Sequence, residues 1–381
     1  DIRLAIVDGP THLDHPALRS ENLKQKDIYG ADHFPVPSDH GTHVSSIIFG
    51  NHDSPVKGIA PEVSGIIIPL FNGKAASQAD LARAINTAIE ADVHIINISA
   101  GELDNLGEPE PILATALRQC ATQNILVIAA AGNDGCRCLH VPAAVPSVLT
   151  VGALDALGDP LPASNWGDAY ARNGLMAPGK DINGALADGG YGLRSGTSFA
   201  TPYVSGLAAL LLSLQQATGA QASPHQIKSI LLETALPCPD KSSTQCARFL
   251  RGVINPQGAY AALVRHLSAT QTPTDHSLPS HLPSSLFNIN TSSVMEKIHD
   301  TPAEMEAVEL TLSEVSPTET LAESTSEPLI PANSLPQAIQ TAERSPSELK
   351  SAGVLPSCGC GGNETKSDCS CGSKSSTPAS P

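Results

Sequence analysis

The sequence Gly196-Thr197-Ser198-Phe199-Ala200-Thr201-Pro202 introduces an apolar stretch that continues to Leu212. The apolar residues of this stretch recur at steps of three and four, which predicts a buried helix, and proline is tolerated in the first turn of a helix. We therefore expect Ser198 at the helix N-terminus, where free N–H groups and a partial positive charge stabilise an oxyanion. Because serine is also a common helix cap, Ser198 alone does not define a function.

Two earlier stretches carry the groups that a nucleophilic serine needs. The run Ile2-Arg3-Leu4-Ala5-Ile6-Val7-Asp8 is a short apolar strand that ends on a carboxylate, and Asp39-His40-Gly41-Thr42-His43 opens a small-residue helix. A serine hydroxyl requires a base within reach, and the base requires an orienting carboxylate. The order Asp8, His40, Ser198 is one of the known chain orders for such a triad. We expect these residues to act as orienting group, base and nucleophile, respectively.

These blocks, together with Ala130-Ala131-Gly132-Asn133, resemble the subtilisin-like serine proteases, or subtilases, over roughly the first two-thirds of the chain. The opening Asp8-Gly9-Pro10 and residues 136–143 further resemble the PatA-like proteases of cyanobactin maturation. The resemblance implies a subtilisin-like three-layer α/β fold with a mainly parallel sheet. It also implies that His43, one turn after His40, is structural.

The same resemblance assigns residues around the triad. Asn133 is the expected oxyanion donor, together with the backbone N–H of Ser198. Residues 132–135 (Gly-Asn-Asp-Gly) also form a strong turn sequence, and such a turn would place the amide. In subtilases the segment after the third strand pairs with the substrate. Together with the small residues Ala130, Ala131 and Gly132 at the end of the fourth strand, it would form the walls of the P1 pocket. An ordinary edge-strand role is the alternative for Ala100. The expected substrate-binding residues are Ser99, Ala100, Gly101, Ala131 and Gly132.

Strand and helix patterns alternate along the first two-thirds of the chain. Apolar runs predict strands at 4–7, 64–70, 93–99, 125–131, 148–154 and 174–178, and helical patterns lie at 40–50, 77–91, 110–122 and 223–234. Such alternation predicts βαβ units and a mainly parallel sheet with helices on both faces. We expect the catalytic groups at the carboxyl ends of its strands. Residues 10–39 are expected to be loop-rich, with His12 and His15 solvated.

Composition excludes several classes of partner. The net charge is −16, with no basic patch to offset phosphate, so nucleic acid is not an expected partner. No run of eighteen apolar residues predicts a membrane span. We see no run of carboxylates for calcium, and we expect neither a metal nor a cofactor. The odd number of cysteines, nine, and the lack of a recognisable signal segment favour a cytoplasmic protein, with secretion as the alternative.

The cysteines occur mainly in close pairs. Cys136 and Cys138 are expected to be too near in sequence to bridge each other, whereas Cys238 and Cys246 pair if the compartment is oxidising. The last four thiols are the pairs 358/360 and 369/371. Their one-residue spacing is shorter than the usual two to four residues of zinc sites, so reduced thiols are expected over zinc.

The composition changes near residue 268. Residues 268–381 contain 14 acidic residues (Asp and Glu) and 5 basic residues (Lys and Arg), and they are rich in Ser, Thr and Pro. This composition is typical of a disordered acidic tail. We predict a peptidase domain at 1–267, a disordered linker at 268–357 and a Cys-rich tail at 358–381. A solvated linker is the default interpretation, and contact with other maturation enzymes is a second one.

The resemblance predicts a serine endopeptidase that removes the leader from a cyanobactin-type precursor peptide. A general degradative subtilase and a catalytically silent peptide-binding scaffold are the alternatives. Macrocyclising relatives carry a helical insertion near the active site, and the short loops here favour plain hydrolysis. The chain departs from most subtilases at Gly9, where Ser or Thr is usual, which removes one hydrogen-bond donor beside Asp8.

Overall fold

The computed structural model describes residues 1–19, 22–30, 36–71, 75–104, 106–239 and 243–270. The strands are β1 (Arg3–Asp8), β2 (Leu23–Gln25), β3 (Ser64–Pro69), β4 (Ile95–Ile98), β5 (Glu102–Asp104), β6 (Leu126–Ala130), β7 (Leu139–Val141), β8 (Leu149–Leu154), β9 (Gly174–Pro178), β10 (Ile182–Ala185) and β11 (Tyr191–Arg194). The helices are α1 (Asp39–Phe49), α2 (Gln78–Glu90), α3 (Pro111–Thr122), α4 (Asp168–Asn173), α5 (Thr197–Ala217), α6 (Pro224–Glu233) and α7 (Pro256–Thr270), with a 3-10 helix at Thr244–Phe249.

Seven parallel strands form the central sheet in the order β2-β3-β1-β4-β6-β8-β9. Along β1, Leu4 and Ile6 join an apolar cluster on one face, whereas Ala5 and Val7 join a second cluster on the other. A strand that is covered on both faces needs apolar residues at every position. This is why β1 has a continuous apolar sequence, and the predicted three-layer α/β fold is confirmed.

Helices cover both faces of the sheet. Residues of α1, α5, α6 and α7 pack in the cluster that contains Leu4, and residues of α2 and α3 pack in the other. Among the described residues, α5 is the one helix long and apolar enough to cross a membrane, but 72% of its most apolar window is buried in the protein. A helix that is apolar on most of its circumference is typical of a protein core, and α5 has this position.

One expectation for the loop-rich segment at 10–39 is wrong. Residues 10–39 contain a short strand, β2, at the edge of the sheet. His15 is fully buried rather than solvated: its Nδ1 accepts from the N–H of Ala17, and its Nε2 donates to the carbonyl of Gly190, each across 3.0 Å. The partner at Gly190 is 175 residues away in the chain, so the local sequence gave no indication of this contact.

The expectation that Cys136 and Cys138 do not bridge is also wrong. They form a disulfide with Cα atoms 5.2 Å apart, within the usual range for a disulfide, because the backbone bends between them. Cys238 and Cys246 form the second disulfide. Cys120 is the free cysteine among the described residues, and burial raises the pKa of its thiol to about 12. The predicted linker beyond residue 270 and the Cys-rich tail lie outside the described residues.

Candidate active site

Three neighbouring strands end at one edge of the sheet. β1, β4 and β6 are adjacent, and they end at Asp8, Ile98 and Ala130. Because parallel strands point the same way, the segments that follow them meet at this edge. They form a cleft of about 910 Å³, which is lined by eight of the nine predicted site residues: Asp8, His40, Ser99, Ala100, Gly101, Gly132, Asn133 and Ser198.

Ala131 is the predicted site residue that the cleft does not include. Its side chain is fully buried in the cluster opposite the Leu4 face. Its carbonyl accepts hydrogen bonds from the hydroxyl of Tyr170 at 3.0 Å and from Nδ2 of Asn165 at 3.3 Å. Ala130, one of the small residues expected to wall the P1 pocket, lines the cleft. The difference arises because consecutive residues at a strand end face opposite sides of the sheet.

Asp8 and His40 are hydrogen-bonded at the centre of the cleft. Nδ1 of His40 donates to Oδ1 of Asp8 across 2.7 Å, and the N–H of Gly9 donates to the same oxygen across 2.6 Å. Asp8 is fully buried. Burial of the imidazole lowers its pKa, but attraction to Asp8 and the hydrogen bond outweigh burial, so the pKa of His40 is raised above its usual 6.5. Bonding through Nδ1 leaves Nε2 to accept a proton.

Gly9 allows α1 to begin directly beside Asp8. A Cβ at Gly9 would collide with Oγ of Ser38. Ser38 caps α1 by accepting from the N–H of Gly41 at 3.0 Å, and its hydroxyl donates to the carbonyl of Pro10 at 3.1 Å. The hydroxyl of Ser38 therefore fills the space that the side chain usual in subtilases would take at position 9. This close approach brings His40, the second residue of α1, onto Asp8.

Asn133 and Gly196 define the start of α5. Gly196 has φ = 143°, a backbone conformation that favours glycine, and Thr197 is the first helical residue. Oδ1 of Asn133 accepts from the backbone N–H of Thr197 at 2.9 Å and from its hydroxyl at 3.1 Å. Because an N–H requires an oxygen acceptor, these bonds identify which end of the amide is the oxygen. Nδ2 of Asn133 is thus the end that can donate within the cleft, beside Ser198.

A buried polar network holds the backbone of Ser198. Oγ of Ser99 donates to the carbonyl of Ser198 across 2.9 Å, and Nδ2 of Asn97 donates to Oγ of Ser99 across 3.0 Å. Oγ of Ser205, two turns along α5, donates to Oδ1 of Asn97 at 2.8 Å. Sequence analysis did not identify Asn97 or Ser205. Asn97 is a polar residue within the otherwise apolar run Ile95–Ile98, and this exception in the pattern could have indicated its role.

Phe199 separates the two histidines of α1. Its ring centroid lies 5.2 Å from that of His40 and 4.8 Å from that of His43. His43 is fully buried, and Nε2 of this residue bonds the carbonyls of Ile182 and Gly192 on the two strands of the β10–β11 hairpin. Burial lowers the pKa of His43 to about 4. His43 is thus neutral near pH 7 and ties this hairpin to α1.

A second histidine–carboxylate pair lies in the same cleft. Nε2 of His140 donates to Oδ2 of Asp134 across 2.6 Å, and both residues line the cleft. Asn165, which is buried, donates to the same Oδ2 at 2.8 Å and accepts from the N–H of Asp134 at 2.8 Å. The hydrogen bond from Asn165 contributes most to holding the pKa of Asp134 below its usual value, and His140 adds to it. Residues 136–143 carry part of the resemblance to the PatA-like proteases, but no local pattern in the sequence indicates a role for His140.

Metal ligation has no support in the described part of the chain. Among the described residues, no group of three or more His, Cys, Asp and Glu side chains is arranged to hold a metal ion. The cleft instead offers a histidine base, a serine at a helix N-terminus and hydrogen-bond donors.

The fold and the cleft at its carboxyl edge place the chain in the α/β class of serine endopeptidases. Residues 1–269 match the peptidase S8 subtilase family, and the chain belongs to that family. It is 30% identical over 251 residues to the major intracellular serine protease of Bacillus subtilis (strain 168), an alignment that covers 62% of this chain and 76% of the relative.

Two solved structures of maturation proteases are similar to the chain. The patellamide maturation protease PatA is 48% identical with a TM-score of 0.66, and the alignment covers 69% of this chain and 97% of that one. The prenylagaramide maturation protease PagA is 48% identical with a TM-score of 0.65, covering 69% of this chain and 93% of the other. The predicted resemblance to cyanobactin maturation proteases is confirmed.

Proposed function

We propose that this endopeptidase removes the leader from a ribosomal precursor peptide of the cyanobactin type, with Ser198 as nucleophile, His40 as general base and Asp8 as orienting carboxylate. The observation that carries the proposal is the 2.7 Å hydrogen bond between Asp8 and His40 in the cleft that Ser198 also lines. The substrate class rests on the 48% identity to PatA and PagA, whose names describe maturation proteases.

The proposed reaction follows from the groups in the cleft. Oγ of Ser198 attacks the scissile carbonyl carbon while Nε2 of His40 takes the hydroxyl proton, and Asp8 stabilises the imidazolium that results. The carbonyl oxygen becomes an oxyanion between the N–H of Ser198 and Nδ2 of Asn133. His40 then returns the proton to the leaving amine as the C–N bond breaks. Water, activated by the same histidine, releases the acyl group from Ser198.

Substrate alignment uses the two segments that flank the cleft. Residues 99–101 follow β4, and residues 131–133 follow β6, its neighbour in the sheet. An extended peptide can add to residues 99–101 by backbone hydrogen bonds, which would place a side chain of the substrate between the two segments. The carbonyl of Ser198 is held by Ser99, so the segment that binds the substrate also positions the backbone of the nucleophile.

Mass spectrometry of two incubations of the full chain tests the substrate class. One incubation contains a cyanobactin-type precursor peptide, and the other contains unfolded casein. We expect one cut at the leader–core junction, a linear product and intact casein. Broad cleavage of casein would identify a general degradative subtilase, and a cyclic product would identify a macrocyclase.

Two variants of α5 test the nucleophile. Ser198→Ala should abolish cleavage, whereas Ser213→Ala, whose hydroxyl bonds the carbonyl of Ala209 on the same helix, should retain it. A fluorophosphonate probe should label the wild type and Ser213→Ala but not Ser198→Ala. Unlabelled wild-type chain would favour a silent peptide-binding scaffold. Cleavage that persists in Ser198→Ala would refute the triad.

The cellular location stays a prediction. The cytoplasm was favoured partly because nine cysteines, mostly in close pairs, do not resemble a secreted disulfide framework, but Cys136–Cys138 and Cys238–Cys246 are bridged in the structure. The cysteines therefore no longer favour that location, because disulfides persist mainly in oxidising compartments. The word "intracellular" in the name of the Bacillus relative supports the cytoplasm. Binding of other maturation enzymes through residues beyond 270 also stays a prediction.

A further inference from the structure

The imidazole of His140 occupies the space between the two segments that flank the cleft. A Cβ added to Gly101 would lie 3.1 Å from Nδ1 of His140. A Cβ added to Gly132, on the opposite segment, would lie 2.8 Å from Cδ2 and Nε2 of the same ring. One ring therefore packs against the backbone of both walls. At Gly132, a φ of 101° and the close approach of Nδ2 of Asn165 also favour glycine.

His140 is held in this position by two hydrogen bonds. Its Nε2 bonds Asp134, which is bonded in turn by the buried amide of Asn165. Its backbone N–H donates to the hydroxyl of Tyr170 at 2.6 Å, and Tyr170 is fully buried. Only 13% of the His140 side chain is exposed. A ring with these contacts cannot swing aside without breaking its hydrogen bond to Asp134.

We infer that His140 is the floor of the P1 pocket, that Asp134 and Asn165 position it, and that it restricts the residue before the scissile bond to a small side chain such as Gly, Ala or Ser. The inference rests on the proposed function, because it takes Ser198 as the nucleophile and the segments at 99–101 and 130–133 as the pocket walls. A large side chain would have to displace a packed, hydrogen-bonded ring.

The small residues of the walls alone would predict a different pocket. Ala100, Gly101 and Gly132 leave the space between the walls open, so these small residues do not limit the side chain that the pocket accepts. The ring of His140, which belongs to β7, fills part of this space and supplies the limit. The pocket depth is thus set by a residue outside both substrate-binding segments.

Peptidyl phosphonates with Ala or Phe at P1 test this inference directly. They phosphonylate an active serine irreversibly, because Oγ bonds to phosphorus and displaces an aryloxide leaving group, and their rates of inactivation report P1 preference without requiring a leader sequence. The wild-type chain should react about 100-fold faster with the Ala reagent, the scale of discrimination that pocket fit supplies. His140→Ala should reduce this ratio to about tenfold or less, mainly by speeding the reaction with the Phe reagent.

Two further variants separate positioning from general damage. Asp134→Ala should lower the Ala:Phe ratio part of the way, because the ring loses its hydrogen-bond partner, and Asp134→Asn should restore much of the ratio by supplying an acceptor oxygen. His52→Ala, a change at an exposed histidine that does not line the cleft, should leave the ratio unchanged. Thermal unfolding of each variant confirms that it is folded.

Each result has a defined meaning. Fluorophosphonate labelling of Ser198 with equal rates for the Ala and Phe reagents would overturn the role of His140 and leave the proposed function intact. A ratio that survives in His140→Ala would also overturn it. Absence of fluorophosphonate labelling in the wild type would refute the triad on which both proposals rest.

Discussion

Replacing Asn133 by Asp separates two roles of one side chain. Oδ1 of Asn133 accepts from the backbone N–H and the hydroxyl of Thr197, which caps α5, whereas Nδ2 is the proposed oxyanion donor. Aspartate keeps the acceptor and loses the donor. Removing one such donor lowers kcat about 10²–10³-fold, which corresponds to a rise of about 2.7–4 kcal/mol in the activation free energy. The kcat of Asn133→Asp should therefore fall by at least this factor. A carboxylate at a helix N-terminus should not reduce stability.

The alanine variant is the matched control. Asn133→Ala loses the donor and the cap, so kcat should fall by a similar factor and the free energy of unfolding should drop by about 0.5–2 kcal/mol. Single-turnover kinetics on the precursor peptide and urea unfolding measure the two quantities. A kcat for Asn133→Asp within tenfold of the wild-type value would refute the assignment of Nδ2 to the oxyanion. An Asp variant as unstable as the Ala variant would refute the capping role.

Three more predictions follow from contacts described above. Asp8→Asn should lower kcat by about 10⁴-fold. In the wild type, kcat/KM should rise with pH as His40 loses its proton, with an inflection above pH 6.5. In the variant this inflection should move to lower pH, because burial lowers the pKa of His40 and the carboxylate no longer raises it. Replacing both Cys136 and Cys138 by Ser should cost about 1.6 kcal/mol of unfolding free energy, against about 2.6 for the Cys238–Cys246 pair, because the second closes a longer loop. Gly184→Ala should cost about 1–3 kcal/mol, since its Cβ would lie 2.5 Å from the His43 ring.

Each of these has a simple check. A pH profile over 5–9 that shows an unchanged inflection in Asp8→Asn would contradict the influence of Asp8 on His40. Urea unfolding should rank the two disulfide variants in the order given, and the reverse order would refute the loop-length argument. Gly190→Ala is the control for Gly184→Ala, because its Cβ would meet only the carboxylate of Asp188 on the surface. Equal losses in the two glycine variants would show that the His43 contact is not the cause.

The sequence by itself determined the residue types of the site and the class of fold. Each predicted catalytic residue follows or opens a distinctive local pattern: Asp8 ends an apolar strand, and His40 and Ser198 open small-residue helices. These signals are local, because strand termination and helix initiation depend on neighbours within a few residues. The mainly apolar sequences of β1, β4 and β6 likewise indicated a parallel sheet covered on both faces.

Tertiary structure decided which of these pieces meet and what lies between them. The sheet order places β4 and β6 beside β1, and no local pattern encodes that order. The burial of His15, the Cys136–Cys138 bridge and the contacts of His140 with Asp134, Gly101 and Gly132 depend on backbone paths that bring distant or bent segments together. The sequence therefore indicated the catalytic groups, whereas the shape of the pocket beside them came from packing between elements, because shape depends on which side chains fill the space.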